Sequence, residues 1–194
     1  MSDLSYIDFW LVRHAPVVAP QKGWLYGSTD LDAKFEDADL LGAVSERLPT
    51  NAEVHVSDLV RTEQTRAALN LPEPTSRAAA IREQHFGDWE NTALSLIPPD
   101  HEIWRRPHTY RPPNGEAWTD LRARTADWLT NLKPQTRDVV VVAHAGSIRA
   151  LLAEMLDLTD AKALALGLDN LSISKARWFV EQNAWRVAYV NWLP

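Results

Sequence analysis

Leu11-Val12-Arg13-His14-Ala15 closes an apolar run, Ile7 to Val12, and turns abruptly from hydrophobic to cationic. A short run of bulky apolar residues predicts a strand, here over Tyr6 to Val12. Where such a strand stops, side chains turn toward the open end of a sheet, the usual position of a binding crevice in α/β folds. Arginine there supplies a planar, permanent cation suited to phosphate or carboxylate. Histidine supplies a nitrogen that can attack or move a proton near neutral pH. An isolated Arg-His pair also reads as a plain charged strand terminus, so its surroundings decide.

A second strand of the same kind lies far along the chain. Asp138 to Ala143 contains four successive valines, the pattern of a strand buried on both faces. It runs into His144-Ala145-Gly146-Ser147, where Ser147 is placed to cap a helix over Ile148 to Leu156. Between the two strands, a loop rich in Pro and Gly extends through Asp32. Leu40, Leu41, Val44 and Leu48 recur at helical spacing and predict a helix over Glu36 to Leu48. Glu53 to Ser57 alternates as a strand, and Ser57 or Asp58 would cap a helix running to Leu69. Ala78 to Arg82 reads as a short strand, and Gln84 to Gly115 is the least regular part. Trp118, Leu121, Thr125, Trp128 and Leu132 mark a long helix ended by Pro134. Ser172 to Val180 and Ala184 to Trp192 alternate around Gln182-Asn183 and predict a hairpin. Strands separated by helices predict an α/β three-layer sandwich: a mostly parallel central sheet flanked by helices, with an antiparallel C-terminal hairpin.

Composition narrows the function classes. The 194 residues fit one domain, residues 1–194, and are 45% hydrophobic and 24% charged, an ordinary globular balance. A net charge of −6 argues against a general nucleic-acid partner, although a local cationic pocket can still capture a small anion. The absence of cysteine excludes disulfides, thiolate metal sites and cysteine nucleophiles. Met1-Ser2-Asp3 lacks the flank of a signal peptide, and no apolar run approaches the roughly 20 residues of a membrane span. The expectation is a cytoplasmic protein with no membrane partner. Nine tryptophans are assigned to core and rim packing.

Three further segments repeat the arrangement of a strand followed by polar residues. In Ser57 to Thr65, Arg61 and Thr65 are four apart and share a helix face near its N-terminus, where an anion is favoured. His144 is delivered to another helix N-terminus, whose amides suit phosphate. Arg82 to Glu90 sets carboxylates beside aromatics, where desolvation can raise a carboxyl pKa.

At these residues the chain resembles the histidine phosphatase superfamily, the phosphoglycerate mutase-like proteins. Leu11 to Ala15 is similar to the family's opening Arg-His-Gly motif, with Ala15 for glycine. Ser57 to Thr65 is similar to its Ser-x-Leu-x-Arg-x-x-x-Thr segment. Glu83, Gly87, Trp89 and Glu90 follow its Glu-x-x-x-Gly-x-Trp-Glu-Gly stretch, with Asn91 for the last glycine. Asn114-Gly115-Glu116 resembles its Gly-Glu-Ser element, and Val142 to Gly146 its second histidine motif, with Ala145 for glycine. The resemblance implies catalytic roles for His14, Glu83 and His144. His14 would be a nucleophile forming phosphohistidine, Glu83 would protonate the leaving oxygen, and Arg13, Arg61 and His144 would surround the phosphoryl oxygens. Charge stabilisation by arginines and a second imidazole fits phosphoryl transfer without a metal or other cofactor.

Gly23 to Asp30 resembles a segment of α-ribazole phosphatases; Trp24, Tyr26 and Gly27 in it, and Glu116 of the Gly-Glu-Ser-like element, are candidate substrate contacts. The expected partner is a small phosphorylated metabolite, α-ribazole 5′-phosphate among the candidates. Pro16-Val17-Val18 stands where mutases of the family carry Ser-x-x-Asn, which disfavours a mutase. A mutase-type phosphotransferase and a non-catalytic phospho-ligand-binding module remain the alternatives. Glu90, Asp88 and Glu116 compete with Glu83 for the acid role. Ala15 and Ala145 are harmless if their φ angles are negative. The C-terminal hairpin either pairs across a two-fold axis, making a homodimer, or stays a covered edge.

Overall fold

The structure is a computed structural model and describes residues 5–19 and 23–194. Met1-Ser2-Asp3 and the Pro20 to Lys22 part of the first loop lie outside the described residues. In chain order the elements are β1 (Tyr6–Arg13), β2 (Trp24–Leu25), α1 (Ala38–Arg47), β3 (Glu53–Val56), α2 (Val60–Ala68), β4 (Ser76–Arg77) and β5 (Thr92–Ala93). There follow α3 (Trp118–Asn131), β6 (Asp138–Ala143), α4 (Ala145–Leu156), α5 (Asp160–Leu164), β7 (Ile173–Phe179) and β8 (Ala184–Trp192).

The main sheet has the order β4-β3-β6-β1-β7-β8. Its β4, β3, β6 and β1 run parallel, while β7 and β8 add the expected antiparallel hairpin. Strand alternation explains the three layers. Ile7, Phe9 and Leu11 of β1 and Val139 and Val141 of β6 pack against Leu129, Ile148, Leu151 and Leu152 on one side. Trp10, Val12, Val140 and Val142 pack with Val44, Leu48 and Leu69 on the other. The valine run is apolar at every position because β6 is covered on both faces.

Local signals set most boundaries. Asp37 caps α1 by accepting from the Leu40 amide at 2.8 Å. Asn183 adopts φ 48° at the hairpin turn, a conformation asparagine tolerates. Two expectations are corrected. Ala78 to Arg82 is not a strand: β4 ends at Arg77, and Ala79–Ile81 forms a 3₁₀ turn that buries Ile81. The ladder stops there because its partner β3 ends at Val56, opposite Arg77. Ser147 is not the cap of α4, which starts at Ala145; its Oγ accepts from the His144 amide at 3.1 Å from inside the first turn. No helix of the described residues is long and apolar enough to cross a membrane.

Asp8 is a polar residue in the middle of β1. It is 5% exposed and accepts from Arg177 Nε (2.6 Å) and Nη2 (2.8 Å), with Lys175 Nζ at 3.1 Å. Burial opposes ionisation, but the bonds from Arg177 and Lys175 outweigh it and hold the carboxyl below its ordinary range. Asp8→Ala is expected to cost about 2 kcal/mol, because it leaves two cations without their partner. Urea unfolding that shows no loss would contradict this assignment.

Candidate active site

The parallel ladder brings the two histidines together. Arg13 pairs with Ala143 in register, and the His14 amide donates to the Ala143 carbonyl at 2.9 Å. His14 and His144 therefore leave adjacent strand ends, with ring centroids 5.0 Å apart. Both are buried. Thr65 fixes this corner: its Oγ1 accepts from the Ala15 amide (2.9 Å) and donates to the Arg61 carbonyl (2.6 Å). Asn170 Nδ2 donates to the His14 carbonyl at 2.8 Å. Neither Ala15 nor Ala145 has a positive φ, so the extra methyl groups cause no backbone strain.

Hydrogen bonds assign the tautomers. The His14 Nδ1 contact at 2.6 Å is with the Ala15 carbonyl, which can only accept. Nδ1 therefore carries the proton, and the lone pair is on Nε2, which makes no hydrogen bond among the described residues. His144 has the opposite arrangement. Arg61 Nε can only donate, and it donates to His144 Nδ1 at 3.2 Å. His144 Nε2–H then donates to Ser57 Oγ at 2.7 Å. Both His144 nitrogens are thus engaged within the protein, and contact with a phosphoryl oxygen requires exchange of the Ser57 bond.

Arg61 is fully buried at the start of α2. Besides His144 it donates to the Gly27 carbonyl from Nη2 (2.6 Å) and to the Thr29 carbonyl from Nη1 (2.8 Å). Its guanidinium lies over the Tyr26 ring at 5.3 Å. Among the described residues three of the five guanidinium donors are engaged, and two are left for an anion. Gly27 has φ +41°, and a Cβ there would fall 2.5 Å from the Gln84 carbonyl oxygen and 2.6 Å from Glu90 Oε1. Glycine lets the loop come close enough to reach Arg61. Arg13 donates from Nη1 to the Leu168 carbonyl at 2.5 Å, and its buried Nε has no partner among the described residues.

The carboxylates separate by their partners. Glu90 accepts from Ser28, Thr29, Phe86 and His85. Burial raises its pKa, but these bonds prevail and bring it to about 2. Glu90 is therefore a fixed anion that clamps the Gly27 to Thr29 loop, not a proton donor. Glu116 is held by Arg124 at 2.6 Å, and Asp88 is exposed and bonded by Asn114. Glu83 has no ion-pair partner among the described residues and accepts from the Gly146 amide at 3.1 and 3.2 Å. Glu83, Glu116, Ser28 and His85 line a cleft of about 370 Å³. Trp24 pairs with Ala93 in the small β2–β5 sheet, and no hydrogen bond or ring contact links it to the histidines among the described residues.

A Cβ on Gly146 would lie 2.1 Å from Glu83 Oε1. Gly146→Ala is therefore expected to push the carboxylate off α4. The expected loss in kcat is about 10² or more, the scale of a general acid, with the fold retained. Full activity in this variant would remove Glu83 from the mechanism.

Burial and the charge of Arg61 lower the pKa of His14 well below 6.5, while the bond to Ala15 opposes the shift. Burial, then His14 and Arg61, does the same to His144. Both imidazoles are neutral at pH 7. Below about 6.5 the unfolded histidines take up protons that the folded ones refuse, so stability falls as pH falls. Tm is expected to be level above pH 7.5 and to drop from 6.5 toward 5. The slope is up to about 1.4 kcal/mol per pH unit for each histidine. A level Tm across that window would contradict two buried neutral rings.

Sequence reasoning missed several of these contributors. Neither Ser57 nor Asp58 is the cap of α2, which begins after Leu59 without a side-chain cap, and Ser57 instead holds His144; Asn170 and the carbonyls of Gly27, Thr29 and Leu168 carry no signal in the sequence. Thr65 did give one, its spacing of four from Arg61.

Comparison with known proteins identifies the chain's relatives. A glucosyl-3-phosphoglycerate phosphatase of Mycobacterium tuberculosis (strain CDC 1551 / Oshkosh) is 33% identical over 147 residues, which is 66% of this chain and 63% of the relative. The aligned part thus spans less than two thirds of that relative's length. The native structure of a mycobacterial glucosyl-3-phosphoglycerate phosphatase superposes with a TM-score of 0.80 at 26% identity, over 96% of this chain and 99% of the other. An Escherichia coli K-12 chain proposed to be an alpha-ribazole-5'-P phosphatase has a TM-score of 0.81 over 96% of each chain; at 21% identity it supports the fold alone. The profile of the histidine phosphatase superfamily (branch 1) matches residues 9–193, and the chain belongs to that family.

Proposed function

We propose that the chain is a metal-independent phosphomonoester hydrolase that acts through phosphohistidine at His14. The observation that carries this reading is the His14 tautomer: Nδ1–H is tied to the Ala15 carbonyl, leaving the Nε2 lone pair unengaged among the described residues, on a ring that feels the charges of Arg61 and Arg13. Nε2 attacks phosphorus and the bond to the ester oxygen breaks. Glu83 gives that oxygen a proton and the alcohol leaves. Water then attacks the phosphohistidine, giving its proton to Glu83 and returning His14 with free phosphate. Arg13 Nε and the two remaining Arg61 donors are proposed to hold the phosphoryl oxygens as charge builds. The reaction so written uses no cofactor.

The proposed substrate is a small phosphorylated metabolite, and the proposed compartment is the cytoplasm. The panel that tests this contains an aryl phosphate, 3-phosphoglycerate and two specific candidates. Glucosyl-3-phosphoglycerate is included for the M. tuberculosis relative, and α-ribazole 5′-phosphate for the Gly23 to Asp30 segment. Hydrolysis in excess chelator, with acid-labile, alkali-stable phosphate trapped on the protein, is the expected result. Activity that disappears in chelator, or phosphate that moves within a phosphoglycerate without release, would overturn the reading.

A further inference from the structure

The outer half of the main sheet carries a second concentration of charge. Antiparallel register sets Asp8, Arg177 and Arg186 in one row across β1, β7 and β8, and Trp10, Lys175 and Tyr189 in the next. Directly opposed residues face the same side of a sheet, so both rows look toward the C-terminal end of α1. From there Arg47 reaches over the rings of Tyr189 (5.8 Å) and Trp192 (5.3 Å). Asp8, Arg47, Lys175, Arg177, Arg186 and Tyr189 line a trough of about 370 Å³.

Four cations and one carboxylate leave this trough with three excess positive charges, on a chain whose net charge is −6. Asp8 is already held by Arg177 and Lys175, and no carboxylate pairs with Arg47 or Arg186 among the described residues. Clustered like charge raises the free energy of the empty site, and a bound anion relieves it. The Tyr189 ring lines the trough beneath Arg47 and adds a flat wall to it.

We propose that this trough binds a compact oligophosphate, free or as the phosphate tail of a nucleotide. A single phosphoryl group carries only about −1.5 to −2 at neutral pH, less than the excess it would have to balance. An acidic peptide spreads its charge along an extended chain at about 3.3 Å per residue and does not concentrate it in so small a volume. Asp8 precedes His14 by six residues, roughly 20 Å along extended chain, so the ligand and a substrate at His14 occupy separate places. This site stands apart from the hydrolase reading.

The test is calorimetric titration with inorganic pyrophosphate and tripolyphosphate, in orthovanadate to fill the histidine site. Wild-type protein is compared with Arg186→Glu, a substitution at an exposed position. One equivalent is expected to bind the wild type, weakened by about tenfold or more in the variant, with aryl phosphate hydrolysis equal in both. ADP binding as tightly as pyrophosphate assigns the contact to the phosphates alone, and tighter binding of ADP adds the nucleoside; either result supports the site. Binding unchanged in Arg186→Glu, or abolished by vanadate, overturns it. A polyglutamate peptide that binds more tightly than tripolyphosphate overturns the choice of ligand.

Discussion

Replacing His14 with alanine is expected to abolish turnover and leave the protein folded. No neighbouring group can take its place. His144 has both nitrogens engaged, by Arg61 and Ser57, and so has no lone pair to offer phosphorus. The loss should reach about four to six orders of magnitude, the scale seen when a nucleophile is deleted from an enzyme that keeps the rest of its site. Stability should change little. The bonds that anchor this position, from Asn170 to the His14 carbonyl and from the His14 amide to Ala143, belong to the backbone and survive the substitution. Only the Nδ1–H bond to Ala15 is lost, worth about 1 kcal/mol. As pH falls below 6.5 the variant should lose stability less steeply than the wild type, because it no longer buries a neutral imidazole at this position. Aryl phosphate assays and thermal unfolding at pH 5.5 and 7.5 measure both effects. An alanine protein within tenfold of wild-type activity would end the nucleophile assignment.

Arg61→Lys should be nearly as damaging although the charge is kept. The guanidinium holds three acceptors in three directions: the Gly27 carbonyl, the Thr29 carbonyl and His144 Nδ1. An ammonium on a flexible stem cannot span that fork. At least one buried acceptor is then left unpaired, at about 1–3 kcal/mol, and the two donors proposed to hold phosphate are lost. The expected fall in kcat/KM is about 10²–10³, the scale of losing one oriented donor to developing charge. Urea unfolding and steady-state kinetics report the two losses separately. A lysine protein with wild-type kinetics would show that charge alone, without the fork, is enough.

Much of the fold was legible because its signals are local. The valine run, the helical spacing of Leu40, Leu41, Val44 and Leu48, and the alternation on either side of Asn183 each encode one element through burial. Ala78 to Arg82 misled because a short apolar stretch suits a strand or a turn equally. What settles it is the length of β3, which lies elsewhere in the chain. The histidines and arginines were legible as residue types at strand ends and helix starts. Their chemistry was less so. Glu90 and Glu83 look alike in sequence, yet one is held ionised by a cage of donors and the other faces an open cleft. That distinction depends on Ser28, Thr29 and Gly146, which arrive from distant segments. The tautomers were equally hidden, since they depend on which backbone carbonyl or arginine nitrogen meets each ring.

The pairing of Arg13 with Ala143 has a consequence for how the protein acquires activity. The two reactive rings are delivered by strands about 130 residues apart in sequence, so the site exists only once one long-range ladder is closed. Side chains alternate along a strand, and a slip of a single residue would send His14 to the opposite face of the sheet. A chain that has collapsed with the wrong register is thus inert, however much secondary structure it has formed. The return of enzymatic activity after dilution from denaturant then acts as a clock for a single event, the correct docking of β1 beside β6.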